Sequence, residues 1–393
     1  MEVNNEIVLR YGTNPHQKPA RVYVEQGTLP ITVVNGSPGY INLLDALNAW
    51  QLVKELRDAT GLPSAASFKH VSPAGAAVAN PLSMELRKSY LAGDEELSPL
   101  ATAYARARGG DRMSSYGDFA ALSDTCDKST AMLIKPEVSD GVIAPHFEPE
   151  ALEILKSKKG GGYLVMKIDP NYQPAEMEKR QVFGIWLEQK RNDAAITKSL
   201  LENIVTTKKT IPPEGVRDLL VATVTLKYTQ SNSIVVAYDG QVIGVGAGQQ
   251  SRVHCTRLAC SKADKWLLQM HPRILVLEFA DGLKRPEKMN AIDQLLLWDE
   301  LSDYERKNLV KSFKKKPEPL SDNERHEWIG KFKGLSLSSD GFIPFRDNID
   351  RASRSGISYV LQPGGSIADE EVIRAADEYG MVMAFSKLRL FHH

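Results

Sequence analysis

Cysteine is scarce: Cys126, Cys255 and Cys260 are the only three in 393 residues. Three thiols make no disulfide framework, and a reducing cytoplasm suits them. Net charge is missing as well, because 49 Lys and Arg balance 49 Asp and Glu. No global field therefore draws the chain to nucleic acid or to an anionic membrane. No apolar run approaches the roughly 20 residues of a membrane-spanning helix. The polar start Met1-Glu2-Val3-Asn4-Asn5-Glu6 lacks the apolar core of a signal peptide. Familiar catalytic signatures are absent too: no Walker A loop, no Gly-x-Ser-x-Gly elbow, and no His-x-Glu with Pro-Cys-x-x-Cys of the zinc deaminases. Cys255 and Cys260 fall on different faces of an expected helix and make a poor metal pair, so no zinc is expected. The basic run Lys311–Lys316 lacks interleaved aromatics and reads as a solvated face.

What is present is an ordinary globular composition, 42% apolar and 25% charged, in a chain long enough for two or three domains. Its focus is Phe68-Lys69-His70-Val71-Ser72-Pro73-Ala74-Gly75. The run Ala65-Ala66-Ser67-Phe68 reads as a short buried strand that ends in a cation and an imidazole. Ser72 suits an N-cap and Pro73 a first helical position, so a small-residue helix is expected over Ala74–Ala79. Lys69 and His70 then occupy a strand-to-helix turn, where α/β proteins place ligands, and a helix N-terminus beside His70 favours neutral imidazole. A solvated lysine and a structural histidine are the plain alternative. Leu226-Lys227-Tyr228 through Ala237 aligns without gaps on Phe68 through Ala79, which suggests a duplicated unit with a lysine turn in each half.

The rest of the chain alternates helix and strand, an α/β pattern. Leu43–Leu56 and Leu100–Arg108 read as helices, and Ala120–Leu122, Val142–Ala144 and Tyr163–Met166 as strands. Asp239-Gly240 between two apolar runs marks a hairpin. Gly244–Gly248 follows that hairpin and so is no dinucleotide fingerprint. Ile274–Leu277 reads as a strand. The charged stretch from Arg285 to Phe332 reads as a peripheral helical insertion, followed by a strand over Gly356–Leu361 and a helix after Pro363-Gly364-Gly365-Ser366. Arg10-Tyr11-Gly12 near the start is a loop that can hold a phosphate through its arginine.

At Leu9–Gln17, Ser67–Ala77, Arg112–Phe119, Lys227–Ser233, Gly244–Thr256, Pro344–Asn348 and Arg389–His393 the chain resembles the transformylases of 5-aminoimidazole-4-carboxamide ribonucleotide (AICAR). That activity forms the C-terminal part of bifunctional purine biosynthesis proteins. The resemblance covers essentially the whole chain. It implies two duplicated cytidine-deaminase-like α/β/α units, residues 1–174 and residues 175–270 with 333–393, and a helical insert over 271–332. It implies formyl transfer from 10-formyltetrahydrofolate to the AICAR 5-amino group, in a cytoplasmic homodimer with shared active sites. Carried over by position, His70 is the proton acceptor and Lys69 the transition-state stabiliser. Arg10, Tyr11, Gly117, Asp140, Asn232, Arg252, Phe342 and Arg389 match AICAR contacts, with Arg10, Tyr11 and Arg389 near the phosphate. Val253, Asp347, Ser366 and Ile367 match folate contacts. Thr229, Ser231, Ser233 and Asp340 match a structural potassium site. Either Lys69 or the His70 imidazolium can protonate the leaving folate N10. The segment that carries the inosinate cyclohydrolase step in the relatives precedes this region, so that activity is not expected here. A deaminase-like hydrolase and a non-catalytic purine nucleotide-binding subunit are the competing function classes.

Overall fold

An eleven-stranded mixed sheet runs through the computed structural model, which describes residues 5–393. Of the polar start, residues 1–4 lie outside the described residues. The chain opens with the hairpin β1 (Glu6–Leu9) and β2 (Ala20–Tyr23), then β3 (Ile31–Asn35) and α1 (Tyr40–Thr60). It continues with β4 (Ser64–Lys69), β5 (Ser72–Val78), α2 (Met84–Tyr90), α3 (Pro99–Gly109), β6 (Asp118–Leu122), α4 (Lys128–Ile134), β7 (Ser139–Ala144), α5 (Pro149–Lys156) and β8 (Leu164–Ile168). A hairpin of β9 (Met177–Val182) and β10 (Ile185–Lys190) stands apart from the sheet. The second half holds α6 (Pro213–Lys227), β11 (Ile234–Tyr238), β12 (Gln241–Gly246), α7 (Arg252–Gln269), α8 (Pro272–Leu275), α9 (Arg285–Leu296), α10 (Asp303–Val310) and α11 (Asp322–Ile329). It ends with β13 (Leu335–Ser339), α12 (Asp347–Arg354), β14 (Ile357–Gln362), α13 (Asp369–Glu378) and β15 (Val382–Phe385).

The strand order is β15-β14-β13-β11-β12-β5-β4-β6-β7-β8-β3. Each half contributes a helix, an antiparallel hairpin, a third strand antiparallel to the hairpin's first, and two further strands added in parallel. Parallel neighbours need crossovers, and α4, α5, α12 and α13 supply them. Alternate strand residues face opposite layers. Ala66, Phe68, Ala76 and Val78 pack with α1 and α6, while Ala65 and Ala77 pack with α3. In the second half Ile234, Val236 and Ile243 pack against α7.

Three sequence expectations give way here. Ala74–Val78 is strand, not helix: β4 and β5 form a tight hairpin, and no helix starts at Ser72. Helix propensity loses to a slot between two strands, buried on both faces. Pro73, without an amide, sits at the register shift of the pair. A side chain at Gly75 would stand 2.1 Å from the Ala107 carbonyl oxygen, so small residues on β5 and α3 are what let the helix lie against the sheet. The gapless repeat also fails. Lys227 ends a helix and is buried against Glu55 at 2.9 Å, so the counterpart of the His70–Val71 turn is Asp239–Gly240. Finally, Ile274 lies in the helical turn α8, not in a strand, because His271 caps the Arg273 amide through Nδ1 and Pro272 takes the first position. The helical insertion is less peripheral than its charge suggests. Leu295, Leu296, Leu309, Phe313 and Ile329 join the same apolar cluster as Trp266 and Leu267 of α7.

The halves meet where β5 pairs antiparallel with β12, Ala77 opposite Gln241. Arg106 of α3, with no exposed surface, clamps this seam. It donates to the carbonyls of Asn80 (2.7 Å), Pro81 (2.6 Å) and Asp239 (2.8 Å), to the Gln241 side chain (3.0 Å), and to the Asp239 carboxylate (2.8 Å).

Candidate active site

Lys69 pairs with Ser72, leaving a two-residue turn of His70 (φ 53°) and Val71 (φ 59°). Positive φ at both positions is what a type I′ turn requires, and Asn-Gly is its usual occupant. A β-branched residue in this region is strained by about 1–3 kcal/mol, the kind of cost that persists where the surroundings over-determine it. Here the surroundings include Asp45 of α1, whose Oδ1 accepts the Val71 amide at 2.6 Å. The Lys69 ammonium donates to the carbonyl of Tyr116. His70 is exposed. The pair borders a cleft of about 410 Å³ with Ser72, Pro73, Ser114, Val245, Leu258 and Lys262.

Strand register explains which other residues share this edge. Phe68 faces Phe119, and β6 and β7 start together, so Gly117 and Asp140 stand beside the Lys69 turn. Gly117 has φ 76°, and a Cβ there would lie 3.9 Å from Lys69 Nζ. Its loop is braced from below. Ser67 Oγ donates to Asp118 Oδ2 at 2.6 Å and lies 2.8 Å from Ser115 Oγ, while Arg108 bridges Asp118 (2.5 Å) and Glu137 (3.1 Å). Asp140 is half-exposed and pairs with Lys159 at 3.0 Å. Arg10 and Tyr11 follow Leu9, which is buried with Leu43 of α1, two residues before Asp45. The Arg10 guanidinium lies 5.8 Å from the Tyr11 ring centre.

Because β12 runs antiparallel to β5, its C-terminal end and the start of β11 reach the same edge. There Arg252 donates to Asn232 Oδ1 (2.8 Å), the Ser233 carbonyl (3.2 Å), Ser339 Oγ (3.1 Å) and the carboxylate of Asp340. The tail closes over this cluster: Leu390 donates to the Asp340 carbonyl at 2.9 Å and His392 to Ser231 Oγ at 3.0 Å. Arg389 thus lies beside it, its guanidinium 4.7 Å from the Phe391 ring centre. Phe342 is 49% and Ile367 fully exposed. Val253 follows Arg252 at the start of α7, Asp347 opens α12, and Ser366 Oγ accepts the Ala368 amide at 3.1 Å before α13. Among the described residues no hydrogen bond joins Lys69 or His70 to Asn232 or Arg252, so one chain presents two groups along one sheet edge.

Of the hydroxyls matched to a cation site, Thr229 Oγ1 donates to the Thr225 carbonyl at 2.8 Å and Ser231 Oγ accepts from the tail. Ser233 Oγ is buried with no hydrogen-bond partner, a free oxygen ligand. Both Asp340 oxygens are engaged, one by Arg252 and one by the Ser233 amide at 2.9 Å. A set of hydroxyl and carbonyl oxygens around an already neutralised carboxylate fits a weakly charged cation better than a divalent one.

Sequence reasoning missed Asp45. The available signal was a carboxylate on the buried stripe of α1, four residues before Ala49 and aligned with Leu52 and Leu56. Burial raises its carboxyl above the ordinary range, against the opposing effects of the Val71 amide, the His70 charge and the His70 amide; Asp140 adds a smaller raising effect. The thiols contribute no nucleophile: burial pushes Cys255 and Cys260 up to about 12. A larger cavity, about 570 Å³, lies between α1 and residues 169–197. Its buried charges are already paired, Lys227 with Glu55 and Lys54 Nζ with the Pro170 carbonyl at 2.7 Å. The chemistry-bearing groups gather at the smaller cleft. No helix among the described residues is long and apolar enough to cross a membrane.

Comparison with known proteins adds two findings. The family model described as the AICARFT/IMPCHase bienzyme matches residues 1–262. The chain is 31% identical over 392 residues to the bifunctional purine biosynthesis protein PurH of Ruegeria sp. (strain TM1040), covering 98% of this chain and 59% of that protein. It is likewise 31% identical over 390 residues to PurH of Roseobacter denitrificans (strain ATCC 33942 / OCh 114), with the same two coverages, 98% and 59%. The chain therefore spans about three-fifths of the length of these relatives.

Proposed function

Because the chain belongs to the AICARFT/IMPCHase bienzyme family, we propose that it acts in purine biosynthesis by transferring the formyl group of 10-formyltetrahydrofolate to the 5-amino group of AICAR. The observation that carries this reading is the strained turn that presents Lys69 and His70 at a cleft of about 410 Å³, on the sheet edge that also holds the Arg252 cluster.

The chemistry runs as follows. The AICAR amine is conjugated with its ring and is a weak nucleophile. It attacks the formyl carbon as neutral His70 takes its proton. The carbonyl oxygen becomes an oxyanion, which the Lys69 ammonium stabilises. Collapse of the tetrahedral intermediate breaks the bond to folate N10, and a proton returns to that nitrogen from Lys69 or the His70 imidazolium. Arg10 and Arg389, with Tyr11, take the phosphate. Gly117, Asp140, Asn232, Arg252 and Phe342 hold the rest of AICAR. Val253, Asp347, Ser366 and Ile367 hold the folate, the exposed Ile367 offering apolar surface. Ser233, with Thr229, Ser231 and Asp340, holds a structural potassium ion.

The repeated element order supports two cytidine-deaminase-like units, residues 1–174 and 175–270 with 333–393, interrupted by the insert 271–332. The hairpin β9–β10 supports a homodimer. It exposes Val182, Phe183, Ile185, Trp186 and Leu187, an apolar surface suited to a second copy. In that dimer each site draws Lys69 and His70 from one chain and Arg252 from the other.

A spectrophotometric assay of tetrahydrofolate formation tests the proposal. Formation that depends on added AICAR is expected. AICAR binding without tetrahydrofolate formation would refute it and leave a nucleotide-binding subunit.

A further inference from the structure

We propose that Asp45 is a positioning residue for the Lys69–His70 pair: from α1 its carboxylate holds the left-handed His70–Val71 turn that presents the pair to the cleft. The inference rests on the transferase reading above and deepens it. It starts from the turn. Neither His nor Val favours positive φ, yet both adopt it here, at 53° and 59°. A turn made of such residues needs an external hold. Asp45 supplies one, since its Oδ1 accepts the Val71 amide at 2.6 Å. A carboxylate acceptor makes this a charge-assisted bond, stronger than a neutral one.

Two further observations separate this aspartate from a surface residue. It is 6% exposed, on a helix whose other buried positions are apolar apart from Asp45 itself. Burial of a carboxylate is costly unless a specific partner uses it. Its recorded partner is the Val71 amide of the turn, and burial, the largest effect on it, raises its carboxyl above the ordinary range. Lys69, the other member of the pair, is held from the opposite side by the Tyr116 carbonyl. The turn is thus held between α1 and the 111–118 loop.

The charged groups around His70 are few. Lys69 adjoins it on β4, Asp45 holds its turn from α1, and Asp140 on β7 is already paired with Lys159. From α7, Lys262 lines the same cleft but pairs with Asp111 at 2.8 Å. Asp45 is the carboxylate in this group engaged by the turn itself, through the Val71 amide.

Two variants separate the roles. Asp45→Asn keeps an oxygen that can accept the Val71 amide and removes the charge. Asp45→Ala removes both. Circular dichroism and thermal unfolding first establish that each is folded. In 15N-labelled protein without substrate, the Val71 amide is expected to exchange with solvent deuterium about tenfold faster in Asp45→Ala, and less so in Asp45→Asn, which keeps an acceptor oxygen. This readout needs no transferase activity, so it stands or falls separately from the proposed reaction. In the transferase assay, kcat is expected to fall about tenfold for Asp45→Asn and about a hundredfold for Asp45→Ala, with KM for AICAR within about threefold. Adding Val71→Gly to Asp45→Ala should recover about tenfold, because glycine adopts positive φ without strain. Unchanged Val71 amide exchange in folded Asp45→Ala, or kcat within twofold of wild type in Asp45→Ala, would overturn the proposal. Absence of recovery with Val71→Gly would overturn the turn-holding role.

Discussion

Ala77 stands opposite Gln241 across the antiparallel seam between β5 and β12, and this register sets the Lys69 turn of one half at the same sheet edge as the Asn232–Arg252 cluster of the other. A parallel seam would have sent the two groups to opposite edges. The clamp that keeps the register is Arg106, which holds the Asp239–Gly240 turn of the second half to Asn80 and Pro81 of the first.

Removing that clamp should therefore destabilise the whole protein. Arg106→Leu strands the carbonyls of Asn80 and Pro81 without a donor, while the Asp239 carbonyl keeps only the Asn80 side-chain amide at 3.2 Å. The Asp239 side chain keeps 40% of its exposure and can hydrate, which puts the loss at the lower end for a broken buried pair, about 3 kcal/mol. Urea unfolding measures it. A loss below about 1 kcal/mol would mean that the seam is held by strand pairing alone.

The base is tested by pH. Only a neutral imidazole accepts a proton, so wild-type activity should fall on the acidic side. His70→Asn should remove most activity and abolish that acidic limb. A residual activity with an unchanged acidic limb would assign the base elsewhere.

Asp45 also makes a stability prediction of definite sign. Its carboxyl binds a proton more tightly in the folded state than its ordinary 3.8. The folded state then holds more protons than the unfolded one, so stability falls as pH rises from about 3.8 through the folded value, and the loss is complete above it. Asp45→Asn removes this dependence. Urea midpoints of the variant should gain on wild type across that interval. A variant whose midpoint instead falls relative to wild type as pH rises through the interval would contradict the assigned burial.

How much of this was legible in sequence differs by element for physical reasons. The Asp239–Gly240 hairpin was readable because both residues favour positive φ, which they adopt at 52° and 79°. The His70–Val71 hairpin was not, because its turn residues disfavour that region and Asp45, a neighbour 26 positions away, stabilises it. The Lys69–His70 focus itself was visible as polar residues ending an apolar strand. The Ala74–Val78 strand was hidden because small residues carry helix propensity, and only their burial between two strands decides the outcome. Lys227 looked like a second Lys69 until the fold paired it with Glu55 at the end of α6.

The shared-site arrangement can be read by mixing chains. Lys69→Ala and Arg252→Ala subunits, each inactive alone, are exchanged. Random pairing makes half the dimers mixed, and in a two-fold dimer each mixed pair has one site with both defects and one with neither. Activity should recover to about a quarter of wild type, because the two sites of a two-fold dimer are equivalent. Verified exchange with no recovery would place Lys69 and Arg252 in the same site on one chain.

The fate of the formyl carbon tests the central claim most directly. Purified protein is given AICAR and 10-formyltetrahydrofolate labelled with 13C in the formyl group, and the products are read by mass spectrometry. The label is expected in formyl-AICAR, at a rate that Lys69→Ala lowers by about a hundredfold to a thousandfold through loss of the oxyanion contact. Label released as formate, or left on the folate while AICAR is bound, would contradict a formyl transferase.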